Sequence, residues 1–281
     1  MNLVSTIIDN KKTFGIVKDD VFYEASKLFK NRYHSLLETI EFSVTRELFD
    51  DAMSSKICYD LNDIRLLPPL TKATKIICVG INYPKLYEGE FTKKPSNIIL
   101  FSKFPETMVA HKESITLPKG EAQKSFDYEG EIAVIIGKKG FKLEESEAMN
   151  FVLGYTIIND GSVRDWQKHS LHAGKNFFHS SSIGPWITTT DTIKDPNILE
   201  LRTVINGKLM QKTTAKEMFF NIPTIISYIS QTTPLSPGDI IATGSPEGTG
   251  ASQSPPKFLK NQDVLEISIS SIGKLNNTIE E

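Results

Sequence analysis

Acidic residues stand in two strand-like segments in the middle of the chain, and their spacing suggests a cation site. Glu129 and Glu131 lead into an apolar run at 132–136, and alternate side chains of a strand share a face, so both carboxylates should project the same way. Apolar residues on both faces of this strand predict burial, and buried paired carboxylates need a counter-ion. Asp160 ends a second such segment, just before Gly161. Because three carboxylates offer only oxygen ligands, the sequence predicts a Mg²⁺ or Mn²⁺ site at Glu129, Glu131 and Asp160.

Polar side chains that can donate hydrogen bonds follow Asp160 closely. Arg164, Gln167 and Lys175 all lie shortly after it. One interpretation is the exposed polar start of a helix, capped by Ser162 or Asp160. The other is a site in which Gln167 and Lys175 donate to a carboxylate or carbonyl of a substrate. An E-x-E pair alone also fits a surface ion pair, so these neighbours strengthen the case for a site.

The elements that must position these residues are mostly strands. Residues 1–67 are predicted to form a small N-terminal α/β domain with a helical stretch at 35–55, and the prolines at 68–69 mark its end. The larger domain, 68–281, is predicted to be β-dominated, a barrel or a folded-over sandwich, with helical stretches near 144–151 and 216–231. Asn206-Gly207 is the strongest hairpin signal. The predicted strands occupy residues 75–81, 97–103, 131–138, 154–160, 185–191, 201–207, 239–245 and 264–270.

Composition narrows the class of protein. With 32 basic and 34 acidic residues the net charge is −2, which excludes the basic field typical of nucleic-acid binding. No apolar run is long enough to span a membrane, and the N-terminus lacks a signal-peptide pattern, so we expect a cytoplasmic protein. The two cysteines, Cys58 and Cys78, have apolar or β-forming neighbours, and we expect buried, reduced thiols.

Six short motifs, in order along the chain, resemble those of the fumarylacetoacetate hydrolase superfamily. They occupy residues 78–83, 127–131, 159–167, 174–177, 183–186 and 237–248. The resemblance implies an α+β fold, a mixed β-sandwich roll with a small N-terminal domain, and usually a homodimer. It also implies Mg²⁺ or Mn²⁺ at Glu129, Glu131 and Asp160, with Ca²⁺ possible in crystals. The site residues that it implies are catalytic Lys175, Gln167 and Arg164 and substrate-binding Asn82, Tyr83, Lys103, Ser245 and Gly244.

One departure from the family pattern concerns the acid/base residues. Members that are hydrolases or decarboxylases often carry a histidine and a glutamate after the motif at 78–83, whereas here Leu86 and Gly89 occupy those positions. The alternatives for this role are Glu88 or Glu90 on the same loop, and His111 or His179 elsewhere. The spacing of the histidines selects none of them.

The resemblance implies substrates that are 2-oxo acids, β-dicarbonyls and their enol or dienoate forms. A divalent cation would act as a Lewis acid and stabilise an enolate, with Lys175 adding positive charge near the oxyanion. Moving a double bond needs only proton transfer, whereas C–C hydrolysis also needs a base that activates water. We therefore expect an isomerase or tautomerase of a 2-hydroxy-dienedioate, as in aromatic compound catabolism. The alternatives are hydrolysis of a fumarylpyruvate- or acylpyruvate-like compound, decarboxylation of a 2-oxo diacid, and an inactive metal-stabilised binding protein.

Overall fold

The structure, a computed structural model, describes residues 1–87 and 90–281, and it describes the side chains of all of these except 86, 87, 90 and 91. The α-helices are α1 Lys27–Lys30, α2 Leu36–Glu41, α3 Thr45–Ser55, α4 Glu145–Ala148, α5 Arg164–Gln167, α6 Leu171–Lys175 and α7 Ile222–Thr232. The strands are β1 Asn2–Ile8, β2 Lys11–Lys18, β3 Val21–Glu24, β4 Cys58–Asp60, β5 Arg65–Leu66, β6 Ile76–Gly80, β7 Leu86–Tyr87, β8 Glu90–Phe91, β9 Ile99–Lys103, β10 Met108–Val109, β11 Ile115–Thr116, β12 Phe126–Asp127, β13 Gly130–Ile136, β14 Val152–Asn159, β15 Ser162–Val163, β16 Ser181–Thr189, β17 Glu200–Ile205, β18 Lys208–Thr214, β19 Ile240–Ala242, β20 Val264–Ile269 and β21 Gly273–Glu280.

Two sheets dominate the described part of the chain. The larger runs in the order β4-β3-β2-β1-β16-β14-β13-β19-β6-β9, and β5 and β10 pair at its side. The smaller has the order β11-β21-β20-β17-β18. The β-dominated α+β fold predicted from the strand pattern is therefore confirmed, and it takes the form of packed open sheets rather than a closed barrel.

The strand that carries Glu131 lies at the centre of the molecule. Ile132, Val134 and Ile136 of β13 face a core shared with the smaller sheet and α7, while Ala133 and Ile135 face a second core with the N-terminal helices. All five side chains are buried, as the apolar run predicted. Burial on both faces makes this strand a rigid support for the residues at its start.

The N-terminal residues form strands and helices as the sequence predicted. The predicted helical stretch at 35–55 consists of two helices, α2 and α3. The break between them contains Ser43, which adopts a φ of +57°. Strand β1 pairs antiparallel with β16, so these residues extend the larger sheet. The boundary at residue 67 stays a prediction.

Two local predictions show how side-chain chemistry sets element ends. Asn206 and Gly207 have φ values of +48° and +78° and connect β17 to β18, so the predicted hairpin is confirmed. Helix α7 begins later than the predicted residue 216, because the Asn221 side chain accepts a hydrogen bond from the Thr224 amide and Pro223 occupies the first turn.

The thiols differ from the expectation. Cys78 lies buried in β6, but Cys58 is exposed on the edge strand β4, so the prediction of two buried thiols is wrong for Cys58. The edge position leaves one side of the strand uncovered. None of the helices in the described part of the chain has the length and apolar character needed to cross a bilayer.

Candidate functional site

The three predicted carboxylates meet at the ends of two paired strands. Glu131 is the second residue of β13, Glu129 comes just before that strand, and Asp160 comes directly after β14. The register pairs Glu131 with Ile158, and the Asp160 amide donates to the Glu129 carbonyl over 2.8 Å. Each carboxylate offers one oxygen, and these oxygens lie within 4.8 Å of one another. All three side chains are buried.

Glu129 is surrounded by donors. Its Oε2 accepts from the Ser162 hydroxyl over 2.9 Å and from the Lys175 ammonium. Its Oε1 accepts from the Ser245 hydroxyl over 3.1 Å and lies 3.1 Å from the Arg164 guanidinium. Burial would raise the pKa of Glu129, but Arg164 and Lys175 outweigh it and hold this pKa well below its ordinary range.

Asp160 lies between two lysines. The Lys175 ammonium is 2.5 Å from Oδ2, and the Lys103 ammonium is 2.7 Å from Oδ1. Lys103 also donates to the Gly161 carbonyl over 3.0 Å and to the Lys175 carbonyl. Burial would lower the pKa of Lys175, but Asp160 and Glu129 outweigh it and raise this pKa, so the amine stays protonated.

Gly161 lets the chain pass close to the Ser180 backbone directly after Asp160. A Cβ at this position would collide with the Ser180 carbonyl oxygen, so no larger residue fits without a backbone shift. We expect Gly161→Ala to destabilise the fold by about 1–3 kcal/mol, as overpacking of a close-packed site does, and to weaken divalent-cation binding through the displaced Asp160. Urea unfolding and Mn²⁺ titration measure these effects. A stability and a Mn²⁺ affinity equal to those of wild type would contradict this role for Gly161.

Glu131 has a different environment from its two neighbours. Its Oε2 accepts from the Gly244 amide over 2.7 Å, and Gly244 adopts a φ of +96° that favours glycine. Burial, followed by the charges of Asp160 and Glu129, raises the pKa of Glu131 well above its ordinary range. A divalent cation would remove this penalty, because it brings positive charge to the same oxygens. The donor set, all carboxylate oxygen, therefore fits Mg²⁺ or Mn²⁺, with Glu129, Glu131 and Asp160 as the residues that would hold the ion.

Divalent-cation affinity should rise with pH, because Glu131 must lose its proton to act as a ligand. Because the pKa of Glu131 is higher in the folded than in the unfolded protein, the metal-free fold loses stability as the pH rises from the unfolded-state pKa to the folded-state pKa. A bound cation reverses this effect. We expect Mn²⁺ to increase the melting temperature more at about pH 8 than at about pH 6, and to release protons on binding. Calorimetry in two buffers of different ionisation enthalpy measures the release. Binding without proton release, at pH-independent affinity, would contradict the assignment.

Arg164 is held by Asp127, which was not among the predicted site residues. Asp127 Oδ2 lies 2.8 Å from the Arg164 Nε, and Asp127 also accepts from the amides of Gly250 and Ala251 over 2.7 and 3.0 Å. The Arg164 guanidinium lies 3.4 Å from the Gln167 side-chain oxygen. Asp127 stands two residues before Glu129, and that spacing was the available signal.

A small cavity of about 250 Å³ opens beside the carboxylates. Of the predicted site residues, those that line it are Glu129, Glu131, Asp160, Arg164, Gln167, Lys175 and Ser245. Lys85 also lines it, although no sequence pattern marked it as a site residue. The available signal was its place next to Leu86, in the segment where the family pattern carries acid/base residues.

The other predicted substrate-binding residues lie around the cavity rather than on its lining. The Asn82 side-chain amide donates to the carbonyls of Phe220 and Thr243 over 3.0 and 2.7 Å, which fixes the turn after β6. Tyr83 is buried beside it, and Lys103 and Gly244 hold Asp160 and Glu131. Direct substrate binding by Asn82, Tyr83, Lys103 and Gly244 stays a prediction.

The histidines considered as bases lie elsewhere. His111 lines a separate cavity of about 640 Å³ beside Trp186, where its Nδ1 accepts from the Asn276 amide over 3.2 Å. Burial, with a contribution from Lys112, lowers the pKa of His111 to about 4. His179 stacks on Phe178 at 3.7 Å between ring centroids, and it does not line the carboxylate cavity. Glu88 and Gly89, and the side chains of Leu86 and Glu90, lie outside the described residues.

Comparison with known proteins gives one family. The family model described as fumarylacetoacetate (FAA) hydrolase C-terminal matches residues 75–280. The oxaloacetate tautomerase YisK of Bacillus subtilis is 38% identical over 288 residues, which cover 98% of this chain and 95% of YisK. The fumarylacetoacetate hydrolase of Exiguobacterium antarcticum is 33% identical with a TM-score of 0.87, covering 100% of this chain and 99% of that one. The 5-carboxymethyl-2-hydroxymuconate delta-isomerase of Mycobacterium smegmatis is 28% identical with a TM-score of 0.80, covering 100% and 98%.

Proposed function

The chain belongs to the fumarylacetoacetate hydrolase family, and we propose that it is a divalent-metal-dependent tautomerase of a short 2-oxo dicarboxylate such as oxaloacetate. The observation that carries this proposal is the buried set of Glu129, Glu131 and Asp160 with Lys175 beside it. The likeness to YisK, which extends over nearly the full length of both chains, supports the tautomerase reaction.

The side chains of the cavity suit an enolisation. When bound, a divalent cation supplies Lewis-acid charge to the oxygens of the substrate. Lys175 and Arg164 both have a raised pKa: burial opposes the charge on each, and the neighbouring carboxylates outweigh it. They therefore remain cationic, so they orient the substrate and stabilise negative charge at its oxygen rather than accept a proton. Lys175 is buried, which strengthens the effect of its charge.

Isomerisation of a 2-hydroxy-dienedioate is the second candidate. The likeness to the Mycobacterium smegmatis delta-isomerase supports it, and the chemistry is the same movement of a proton and a double bond. Hydrolysis and decarboxylation require further steps, namely activation of water or loss of CO₂. We propose the cytoplasm as the location and a homodimer as the assembly, both by analogy with the family.

The test is an assay on purified protein with Mg²⁺ or Mn²⁺, in which the enol form of oxaloacetate is followed by its ultraviolet absorbance. We expect the approach to keto–enol equilibrium to accelerate with metal and to return to the uncatalysed rate with EDTA. A parallel chromatographic assay on a 2-hydroxy-dienedioate and on acylpyruvates separates the alternatives: an isomer of equal mass, cleaved fragments, or CO₂. Metal-dependent stabilisation with no conversion of any 2-oxo acid would refute the proposal and indicate a binding protein.

A further inference from the structure

The charges on the cavity lining indicate what kind of ligand it can balance. Among the described residues that line it, the cations are Lys85, Arg164 and Lys175, and the anions are Glu129, Glu131 and Asp160. These formal charges cancel, so a divalent cation on the carboxylates leaves an excess of two positive charges. A dianionic ligand restores the balance, whereas a monoanion leaves one charge uncompensated.

The three cations differ in their ion pairs with carboxylates of the protein. Arg164 pairs with Asp127 and Glu129, and Lys175 pairs with Glu129 and Asp160. No direct ion pair joins Lys85 to the three cavity carboxylates, all of which lie in the described part of the chain. Lys85 is thus the lining cation whose charge these carboxylates do not neutralise by contact.

The backbone of Lys85 is held in place while its side chain lines the cavity. Its amide donates to the Thr92 hydroxyl over 2.9 Å, and its carbonyl accepts from the Thr92 amide over 2.8 Å. Burial lowers the pKa of the Lys85 ammonium, Glu129 and Glu131 oppose this, and Arg164 and Lys175 add to it. A carboxylate from a ligand, placed against this ammonium, would favour its charged form.

We propose that Lys85 binds the distal carboxylate of the substrate and selects a 2-oxo dicarboxylate over a 2-oxo monocarboxylate. This inference rests on the proposed function, because it assumes that the 2-oxo acid end of the substrate meets the three-carboxylate site. The distal carboxylate then lies against Lys85, in a cavity of about 250 Å³ whose size suits a short diacid.

The test compares two ligands that differ in one charge and cannot enolise. These are 3,3-dimethyloxaloacetate, a dianion, and trimethylpyruvate, in which a methyl group replaces the distal carboxylate. Binding to the Mg²⁺-loaded protein is measured by calorimetry for wild type, Lys85→Gln and the charge-retaining control Lys85→Arg. We expect Lys85→Gln to weaken binding of the dianion by about 10- to 100-fold, as loss of a charge-assisted hydrogen bond does, and to leave binding of the monoanion unchanged. Lys85→Arg should keep most of the preference.

Three outcomes would overturn the proposal. They are an equal loss of affinity for both ligands in Lys85→Gln, no loss of affinity for either, and a wild-type protein that binds both ligands equally. If Lys85→Gln does not fold, Lys85→Met replaces it. Because neither ligand can enolise, the binding result is independent of the tautomerase assay, and failure of one is distinguishable from failure of the other.

Discussion

Replacing Lys175 with methionine should lower kcat for the tautomerisation of oxaloacetate by about 100- to 1,000-fold, the loss typical of removing one fixed donor to a developing oxyanion. Methionine keeps the length and apolar stem of lysine but removes the charge that lies against Glu129 and Asp160. Divalent-cation affinity should not fall, because Lys175 contributes positive charge that competes with the ion for the same oxygens. Steady-state kinetics and Mn²⁺ titration measure the two quantities separately.

The stability of Lys175→Met provides an internal check. Without metal, the variant removes one of the cations that pair with each of two buried carboxylates, and it should melt at a lower temperature than wild type. With saturating Mn²⁺ the difference should shrink, because the ion then compensates these charges. Lys168→Met removes a lysine from an exposed ion pair with Asp165 and is the matched control. It should change neither kcat nor the melting temperature. A kcat for Lys175→Met equal to that of wild type would refute the role of this ammonium.

Replacing Glu131 with glutamine should abolish metal-dependent stabilisation. An ion present at 100 times its Kd stabilises the folded state by about 2.7 kcal/mol, and a variant that no longer binds it loses that whole increment. Glutamine is isosteric, and its oxygen can still accept from the Gly244 amide, so the fold is kept. In EDTA the variant should be at least as stable as wild type, because it removes an anion that burial, Asp160 and Glu129 disfavour. Differential scanning fluorimetry with and without Mn²⁺ measures both effects.

Two further variants test whether this result is specific to the Glu131 carboxylate. Glu131→Ala should also lose the metal effect, but with lower stability in EDTA because it leaves a cavity and an unpaired amide. Glu121→Gln removes an acidic group from an exposed ion pair and should keep the full response to Mn²⁺. A response to Mn²⁺ in Glu131→Gln that matches wild type would show that the ion binds elsewhere.

Local patterns made much of the fold predictable. The apolar run after Glu131 predicted a strand buried on both faces, and β13 is that strand. Asn206-Gly207 predicted the hairpin, because both residues tolerate positive φ. The end of a strand-like segment and the glycine after it predicted the position of Asp160. The structure explains this glycine, because Gly161 lies too close to the Ser180 carbonyl to carry a side chain.

The parts that the sequence did not reveal depend on contacts between distant residues. Lys103 lies fully buried against Asp160, 57 positions away in the chain, and nothing in the sequence indicated this ion pair. Such a pair depends on how β9 and the turn after β14 meet in space, which no local pattern encodes. Lys85 went unselected for the same reason, because only the assembled cavity brings it near Arg164 and Lys175.

We propose that Glu129, Glu131 and Asp160 hold one divalent cation to which a 2-oxo acid binds. A crystal structure of the protein with Mn²⁺ and oxalate, with anomalous diffraction to locate manganese, tests it most directly. We expect a single anomalous peak with one oxygen of each carboxylate at about 2.0–2.2 Å, the range of oxygen ligands to small divalent cations, oxalate on the same ion, and Lys175 turned toward the oxalate. A peak that contacts fewer than two of these carboxylates, or none at full Mn²⁺ concentration, would contradict the claim.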